Sequence, residues 1–171
     1  MNIRKRRIRR AAVAVCATAL TTLTVSGGGP PGGGPQPGDS GRDGRTIRVE
    51  TNLRVSEELD LGASGRSVGD QFIFSGDLLS VEDSDGSTVG TIGGYCVITE
   101  VERNAGQCSL TAVLDGGQIT VQGEQEGIPT PSAVTNAITG GTGEFRNAQG
   151  EMALEFQTPV VWRLTFTLTG R

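Results

Sequence analysis

The sequence contains no histidine among its 171 residues. This absence excludes Ser-His-Asp and Cys-His catalysis, histidine-ligated metal sites and acid–base chemistry by an imidazole. Aromatic side chains are scarce, at 4 % of the chain, so a hydrophobic core must consist mainly of Val, Ile and Leu. No apolar run reaches the roughly 18 residues of a conventional transmembrane helix, so we expect no stable membrane insertion.

Basic residues are unevenly distributed along the chain. Residues 1–26 contain six of the fifteen basic side chains and no acid, whereas the remainder contains nine arginines, no lysine and nineteen acids. The part after residue 26 therefore carries a net charge of −10. A surface of this sign repels the phosphate backbone of nucleic acids, so we expect a neutral or cationic partner.

Two segments precede the expected folded domain. Residues 1–26 place a short apolar segment after a basic run, which predicts a signal peptide and a secreted or cell-surface protein. The alternative is a cytoplasmic protein in which this segment is a lid helix over a pocket. Residues 27–45 are rich in Gly and Pro, which predicts a disordered linker. The folded domain is then 46–171.

The folded domain shows strand patterns and no convincing helix. Turn sequences such as Asp-Gly-Gly and Gly-Gly-Thr-Gly separate segments rich in Val, Ile, Thr and Phe. These segments are 47–55, 70–82, 87–102, 107–114, 117–125, 150–157 and 159–171. The pattern predicts an all-β antiparallel barrel or sandwich, and a closed barrel is favoured because it exposes no edge strand.

Two cysteines lie in consecutive predicted strands, Cys96 and Cys108. In an oxidising compartment this arrangement predicts a cross-strand disulfide. Direct pairing requires a shortened or bulged hairpin, because the intervening turn is not centred between them. The alternative is two thiols, one of which lines a pocket.

Five segments together carry a resemblance to a known family. They are GDQFIFSGDLLS (69–80), GGYCVI (93–98), GGQITVQG (116–123), AITGGTGEFRNAQGEM (137–152) and WRLTFTLTG (162–170). In this order and spacing, the domain resembles the allene oxide cyclase barrel family and the related dirigent proteins. The resemblance implies an eight-stranded antiparallel barrel, an apolar cavity at one mouth, and a homo-oligomer, trimer or dimer.

The resemblance also implies a function. Such barrels act without a cofactor or metal, so we expect a cyclase or isomerase that binds a small hydrophobic reactive intermediate and steers its stereoselective cyclisation or coupling. The architecture is also similar to bacterial 4+2 cyclases, so an intracellular natural-product cyclase with an N-terminal lid is an alternative. Further alternatives are a secreted small-molecule binding module without catalysis, and a structural barrel with a filled interior.

The first predicted strand contains the catalytic candidates that the resemblance implies. Glu50 and Asn52 match a cavity glutamate and a water-holding asparagine of the family. Strand alternation alone gives a different result. It places Val49 and Leu53 on the core side and leaves Glu50 in solvent.

The remaining candidates line the expected cavity. Phe72 and Phe74 share one face of a predicted strand and match cavity positions of the family, although ordinary core packing is equally compatible. Cys96 matches the family's cavity cysteine. Trp162, the single tryptophan, is expected in the core or at the cavity floor.

Overall fold

The computed structural model describes residues 44–83 and 85–169, which form a closed barrel of eight antiparallel strands in sequence order. The strands are β1 (Arg45–Leu59), β2 (Gln71–Ser80), β3 (Thr88–Glu100), β4 (Ala105–Leu114), β5 (Gly117–Gln125), β6 (Val134–Gly141), β7 (Gly150–Phe156) and β8 (Trp162–Leu168). One short 3-10 turn spans Gly143–Phe145. The expected all-β barrel is confirmed. The predicted signal peptide, and the linker up to residue 43, lie outside the described residues.

One strand, β6, is absent from the sequence-based prediction. Its inward positions are Val134, Asn136 and Ile138, so a polar residue interrupts the apolar alternation. The strand also ends in two glycines, and its register with β5 shifts between Thr120 and Val121. A strand with these features has no clear period-2 signal.

The core is built by alternation along every strand. Val49 on β1, Leu78 on β2, Ile119 on β5 and Phe166 on β8 point inward and are almost completely buried. Their neighbours point to solvent, as period-2 geometry requires. Among the described residues, no helix has the length and apolarity to cross a bilayer.

The two ends of the barrel differ in the length of their connections. We call the upper end the one formed by the connections β1–β2, β3–β4, β5–β6 and β7–β8. Its four connections are 60–70, 101–104, 126–133 and 157–161, whereas the three connections at the opposite end are 81–87, 115–116 and 142–149 and are shorter in total. Gly116 has a φ of +90°, which suits glycine in so tight a turn. The upper end therefore has the chain length needed to enclose a ligand.

The β3–β4 hairpin brings the two cysteines together. Its register shifts between Ile98 and Glu100, and this bulge places Cys96 directly opposite Cys108. Both residues are buried, and their sulfur atoms lie 1.93 Å apart. The bulged hairpin that direct pairing required is therefore present.

Candidate functional site

Three aromatic side chains form the floor of a cavity at the upper end. The rings of Phe72 and Phe74 on β2 stack with centroids 5.8 Å apart. Trp162, the first residue of β8, meets Phe74 edge-on at 5.0 Å and lies 6.3 Å from Phe72. All three side chains are buried. Aromatic surfaces of this kind bind flat apolar molecules well, because they bury large area with little conformational freedom to lose.

The β5–β6 connection covers this cavity. Ile128, Pro129 and Pro131 line it from above, and the side walls are Cys96, Leu110 and Leu154. Asn104 holds the connection in place: the Ile128 N–H donates to the Asn104 carbonyl at 3.2 Å, and Asn104 Nδ2 donates to the Ile128 carbonyl at 2.5 Å. The enclosed volume is about 10 Å³, which is room for about one water molecule. A larger ligand therefore requires this connection to move.

Buried polar groups lie in and near this apolar cavity, and two of them have no partner among the described residues. Trp162 is 3 % exposed, and its indole Nε1 has no hydrogen-bond partner among the described residues. Gln125 on β5 is 6 % exposed and lines the same cavity. On the adjacent strand, the buried Asn136 Oδ1 also lacks a partner in the described part. A buried polar group left unpaired costs about 1–3 kcal/mol, so such groups mark where a ligand or water would be held.

Glycine makes room for one of these groups. A Cβ added at Gly123 would lie 2.2 Å from Asn136 Oδ1. The glycine therefore lets the Asn136 amide remain inside the barrel.

A single hydroxyl positions the tryptophan. Thr51 on β1 is fully buried, and its Oγ1 accepts a hydrogen bond from the Trp162 backbone N–H at 2.8 Å. The same hydroxyl donates to the Val160 carbonyl at 3.1 Å. Thr51 thus fixes the start of β8, from which the indole projects into the cavity.

The structure corrects the expected placement of Glu50 and Asn52. Because Val49, Thr51 and Leu53 face the core, the residues between them face outward. Glu50 Oε1 accepts hydrogen bonds from Arg163 Nη2 at 2.7 Å and Nε at 3.2 Å on the outer surface. This carboxylate raises the pKa of Arg163. Neither Glu50 nor Asn52 lines the upper cavity.

The other expected cavity residues do meet at one place. Phe72, Phe74, Cys96 and Trp162 all line the upper cavity, and Cys108 backs it through its contact with Cys96. Gln125, Asn136 and Thr51 are absent from the sequence-based candidates. Alternation from Ile119 and Val121 would have placed Gln125 inward, so a signal for it existed.

A second recess adjoins the cavity and shares Phe72 with it. This groove of about 150 Å³ is lined by Glu58, Asp60, Arg66 and Asp70 of β1 and the β1–β2 connection. Arg66 forms an ion pair with Glu58. The Ser67 and Leu61 backbone N–H groups hydrogen-bond Asp70 and lower the pKa of its carboxyl group. Three carboxyl groups and one guanidinium thus line the groove, which is predominantly acidic.

A wider recess of about 380 Å³ lies at the opposite end of the barrel. Its charged groups are Arg45, Arg48, Glu82 and Asp115. Arg45 lies 5.2 Å from the centre of the Phe145 ring and 3.7 Å from Glu144 Oε2. This recess is open, and none of the unpaired buried polar atoms of the described residues belongs to its lining. We therefore place the candidate site at the upper end.

No group of three or more His, Cys, Asp or Glu side chains within residues 44–83 and 85–169 could hold a metal ion. The cavity lining consists of aromatic rings, aliphatic groups, the Cys96 side chain and two neutral hydrogen-bonding groups, the Trp162 indole and the Gln125 amide.

Similar barrels occur among solved structures. A pyocyanin demethylase is 34 % identical, with a TM-score of 0.64, and the match covers 73 % of this chain and 100 % of that chain. The pterocarpan synthase dirigent protein GePTS1 is 15 % identical, with a TM-score of 0.57, and 73 % and 82 % of the two chains are covered. The Diels Alderase AbmU from Streptomyces koyangensis is 13 % identical, with a TM-score of 0.58, and 78 % and 71 % are covered.

No curated protein matches the chain. The family description that matches is the allene oxide cyclase barrel like domain, over residues 49–161. That range extends from β1 to the residue before β8 and includes most of the upper cavity. Together with the order of the strands and the 34 % identical relative, this match shows that the chain belongs to the allene oxide cyclase barrel like family.

Proposed function

We propose that this barrel is an enzyme that encloses one small, flat, hydrophobic molecule at its upper end and directs the conversion of that molecule there. One observation carries the proposal: the rings of Phe72, Phe74 and Trp162 and the buried amide of Gln125 line the same cavity, and the Trp162 indole adds a hydrogen-bond donor. Displacement of Ile128 and the two prolines above it would open the space that a substrate needs. Gly127, with a φ of +74°, lies at the start of this segment, and we propose it as the pivot.

Pyocyanin is the first substrate to test, because the 34 % identical relative is a pyocyanin demethylase. Pyocyanin is a flat tricyclic heteroaromatic compound with one oxygen acceptor. Its ring faces can stack on the rings of Phe72, Phe74 and Trp162. Its oxygen can accept a hydrogen bond from the unpaired indole N–H of Trp162. The Gln125 amide offers a second hydrogen bond at the same cavity.

The second candidate reaction is the stereoselective cyclisation or coupling of a reactive hydrophobic intermediate, without a cofactor. The barrel that this chain shares with a dirigent protein and a Diels Alderase supports it. An enclosed apolar cavity excludes water and fixes one conformer of the intermediate, which is what such a reaction requires. We further propose that the protein is exported, oxidised at Cys96 and Cys108, and assembled as a dimer or trimer. In the intracellular alternative, residues 1–26 would act as a lid.

Binding and turnover of pyocyanin by the full chain test the proposal. The single tryptophan reports binding by fluorescence quenching, and product formation is followed by liquid chromatography with mass detection. We expect Phe74→Leu to weaken binding about tenfold, since ring stacking is lost while the site stays apolar. Gln125→Leu should reduce turnover more than binding.

The matched control is Tyr95→Leu. Tyr95 precedes Cys96 but lies on the outer face of β3, where it is 48 % exposed, so this change should leave both readouts unaltered. Binding without turnover of any phenazine would favour the binding-module alternative. Complete absence of quenching by phenazines and other flat aromatic compounds would favour the structural barrel and contradict the proposal.

A further inference from the structure

The upper end of the barrel carries more net negative charge than the opposite end. The segments at this end are 57–70, 100–104, 124–133 and 155–163. They contain nine carboxylates and three arginines, a net charge of −6. The segments that close the opposite end, 44–48, 80–88, 114–117 and 141–151, contain six carboxylates and three arginines, a net charge of −3.

All three arginines of the upper end are already engaged by carboxylates. Arg66 pairs with Glu58, Arg103 contacts Glu100, Glu124 and Glu126, and Arg163 pairs with Glu50. None of these arginines lines the aromatic cavity. An incoming anion therefore meets no basic side chain that it could pair with in the described part of the cavity.

The acidic surface reaches the aromatic cavity itself. Phe72 lines both the cavity and the groove of Glu58, Asp60 and Asp70, so the two recesses meet at this residue. Backbone N–H groups hold the Asp70 carboxylate at this border. A ligand seated on Phe72 would thus lie within the field of these carboxylates.

We propose that the upper cavity selects a flat heteroaromatic cation with an acceptor atom, such as an N-alkylated phenazinium, over neutral and anionic rings of the same shape. The inference rests on the proposed function and specifies its substrate class. Aromatic ring faces attract a cation within about 6 Å of the ring centroid. The surrounding carboxylates raise the local concentration of cations. The unpaired indole N–H of Trp162 can donate a hydrogen bond to the acceptor atom of the ligand.

Three probes of nearly equal shape separate charge from shape. They are N-methylphenazinium, neutral phenazine and phenazine-1-carboxylate, each added to the full chain in the dark. Binding is measured by equilibrium dialysis and by quenching of Trp162. At low salt, the cation should bind at least about tenfold more tightly than the neutral ring, and the anion most weakly. Added salt should reduce the gap, because the Debye length shortens to about 3 Å at 1 M.

Charge-neutralising variants locate the effect. The test variant combines Glu57→Gln, Glu102→Gln and Glu155→Gln, all at exposed positions of the upper end. The matched control combines Glu82→Gln, Asp115→Asn and Glu151→Gln, which are exposed at the opposite end. Both variants change the net charge equally. We expect the first to weaken binding of the cation about fivefold and to leave neutral phenazine unchanged, while the control alters neither.

The outcomes distinguish this inference from the function on which it rests. Equal binding of the three probes, or equal effects of the two triple variants, overturns the charge selection and leaves the aromatic site intact. If none of the probes binds, both the inference and the proposed function are wrong. Circular dichroism of each variant identifies any change that arises from loss of the fold.

Discussion

The hydroxyl of Thr51 shows how one polar atom can organise an apolar site. It joins β1 to the start of β8 through two hydrogen bonds. The hydroxyl accepts one from the backbone N–H of Trp162 and donates the other to the Val160 carbonyl. The Leu53 N–H donates to the same Val160 carbonyl at 2.9 Å. Removal of the hydroxyl would leave the buried backbone N–H of Trp162 without this partner. The aromatic floor of the cavity thus depends on a residue that lies outside its lining.

We expect Thr51→Val to lower the free energy of unfolding by about 1–3 kcal/mol, since the shape is kept and two hydrogen bonds are lost. Urea denaturation measures this change, and Thr51→Ser should retain most of the stability. The control is Thr120→Val, because the Thr120 hydroxyl contacts the Thr139 hydroxyl at an exposed position. That change should cost no more than about 0.5 kcal/mol. Equal losses at the two sites would contradict the role given to Thr51.

Among the connecting elements, the β1–β2 connection is ordered by the carboxylate of Asp70. Its Oδ1 accepts from the Leu61 N–H at 3.0 Å and from the Ser67 hydroxyl at 3.1 Å, and its Oδ2 accepts from the Ser67 N–H at 2.5 Å. The Ser67 and Leu61 N–H groups stabilise the charged form, so the pKa of Asp70 falls below its ordinary value of 3.8. The connection that forms the acidic groove is therefore tied to an ionised side chain.

Asp70→Asn should loosen this connection at neutral pH. Because the pKa of Asp70 is lowered in the fold, its contribution is complete above the ordinary value of 3.8 and is lost as the pH falls through the lowered pKa. Hydrogen exchange at the Leu61 and Ser67 amides should therefore be faster in the variant at neutral pH. The difference from the wild type should disappear only in strong acid.

The control for this change is Asp77→Asn. The Asp77 carboxylate forms an ion pair with the exposed Arg54 at 3.1 Å on the side of the barrel. Such pairs contribute little to stability, so the same amides should exchange at the wild-type rate. A pH-independent difference between Asp70→Asn and the wild type would show that its carboxylate is not the cause.

At the scale of the whole molecule, strand alternation predicted the orientation of the β1 side chains better than the roles assigned from the family resemblance did. Val49 and Leu53 face inward as their period requires, and Glu50 faces outward for the same reason. The inward, cavity-facing placement of Glu50 that the resemblance implied is wrong, since a shared fold does not fix the position of each functional side chain. The barrel itself followed from turn residues and from closure of its edges.

The parts that were not predicted depend on long-range geometry. Residues 126–133 show no periodicity from which the position of Ile128 above the cavity could be predicted. Ile128 is held there by hydrogen bonds to Asn104, which belongs to the β3–β4 hairpin. The sequence predicted the pairing of Cys96 with Cys108 and the need for a shortened or bulged hairpin, but the location of the bulge follows only from the assembled sheet. Gln125 was predictable by alternation, but its role depends on the aromatic neighbours that the closed barrel supplies.

Export and oxidation belong to the whole chain and are tested together by intact mass. We expect the protein in the culture fluid of its native host to lack the N-terminal segment and to be about 2 Da lighter than its reduced form, the mass of the two hydrogens lost when a disulfide forms. Cys96 and Cys108 lie 12 residues apart, so reduction should lower the free energy of unfolding by about 2–3 kcal/mol. The double change Cys96→Ala and Cys108→Ala should abolish this sensitivity to reductant.

A full-length, reduced species found inside the cell would contradict export and would make residues 1–26 part of an intracellular enzyme. The substrate of that enzyme would then have to be sought among biosynthetic intermediates rather than extracellular compounds.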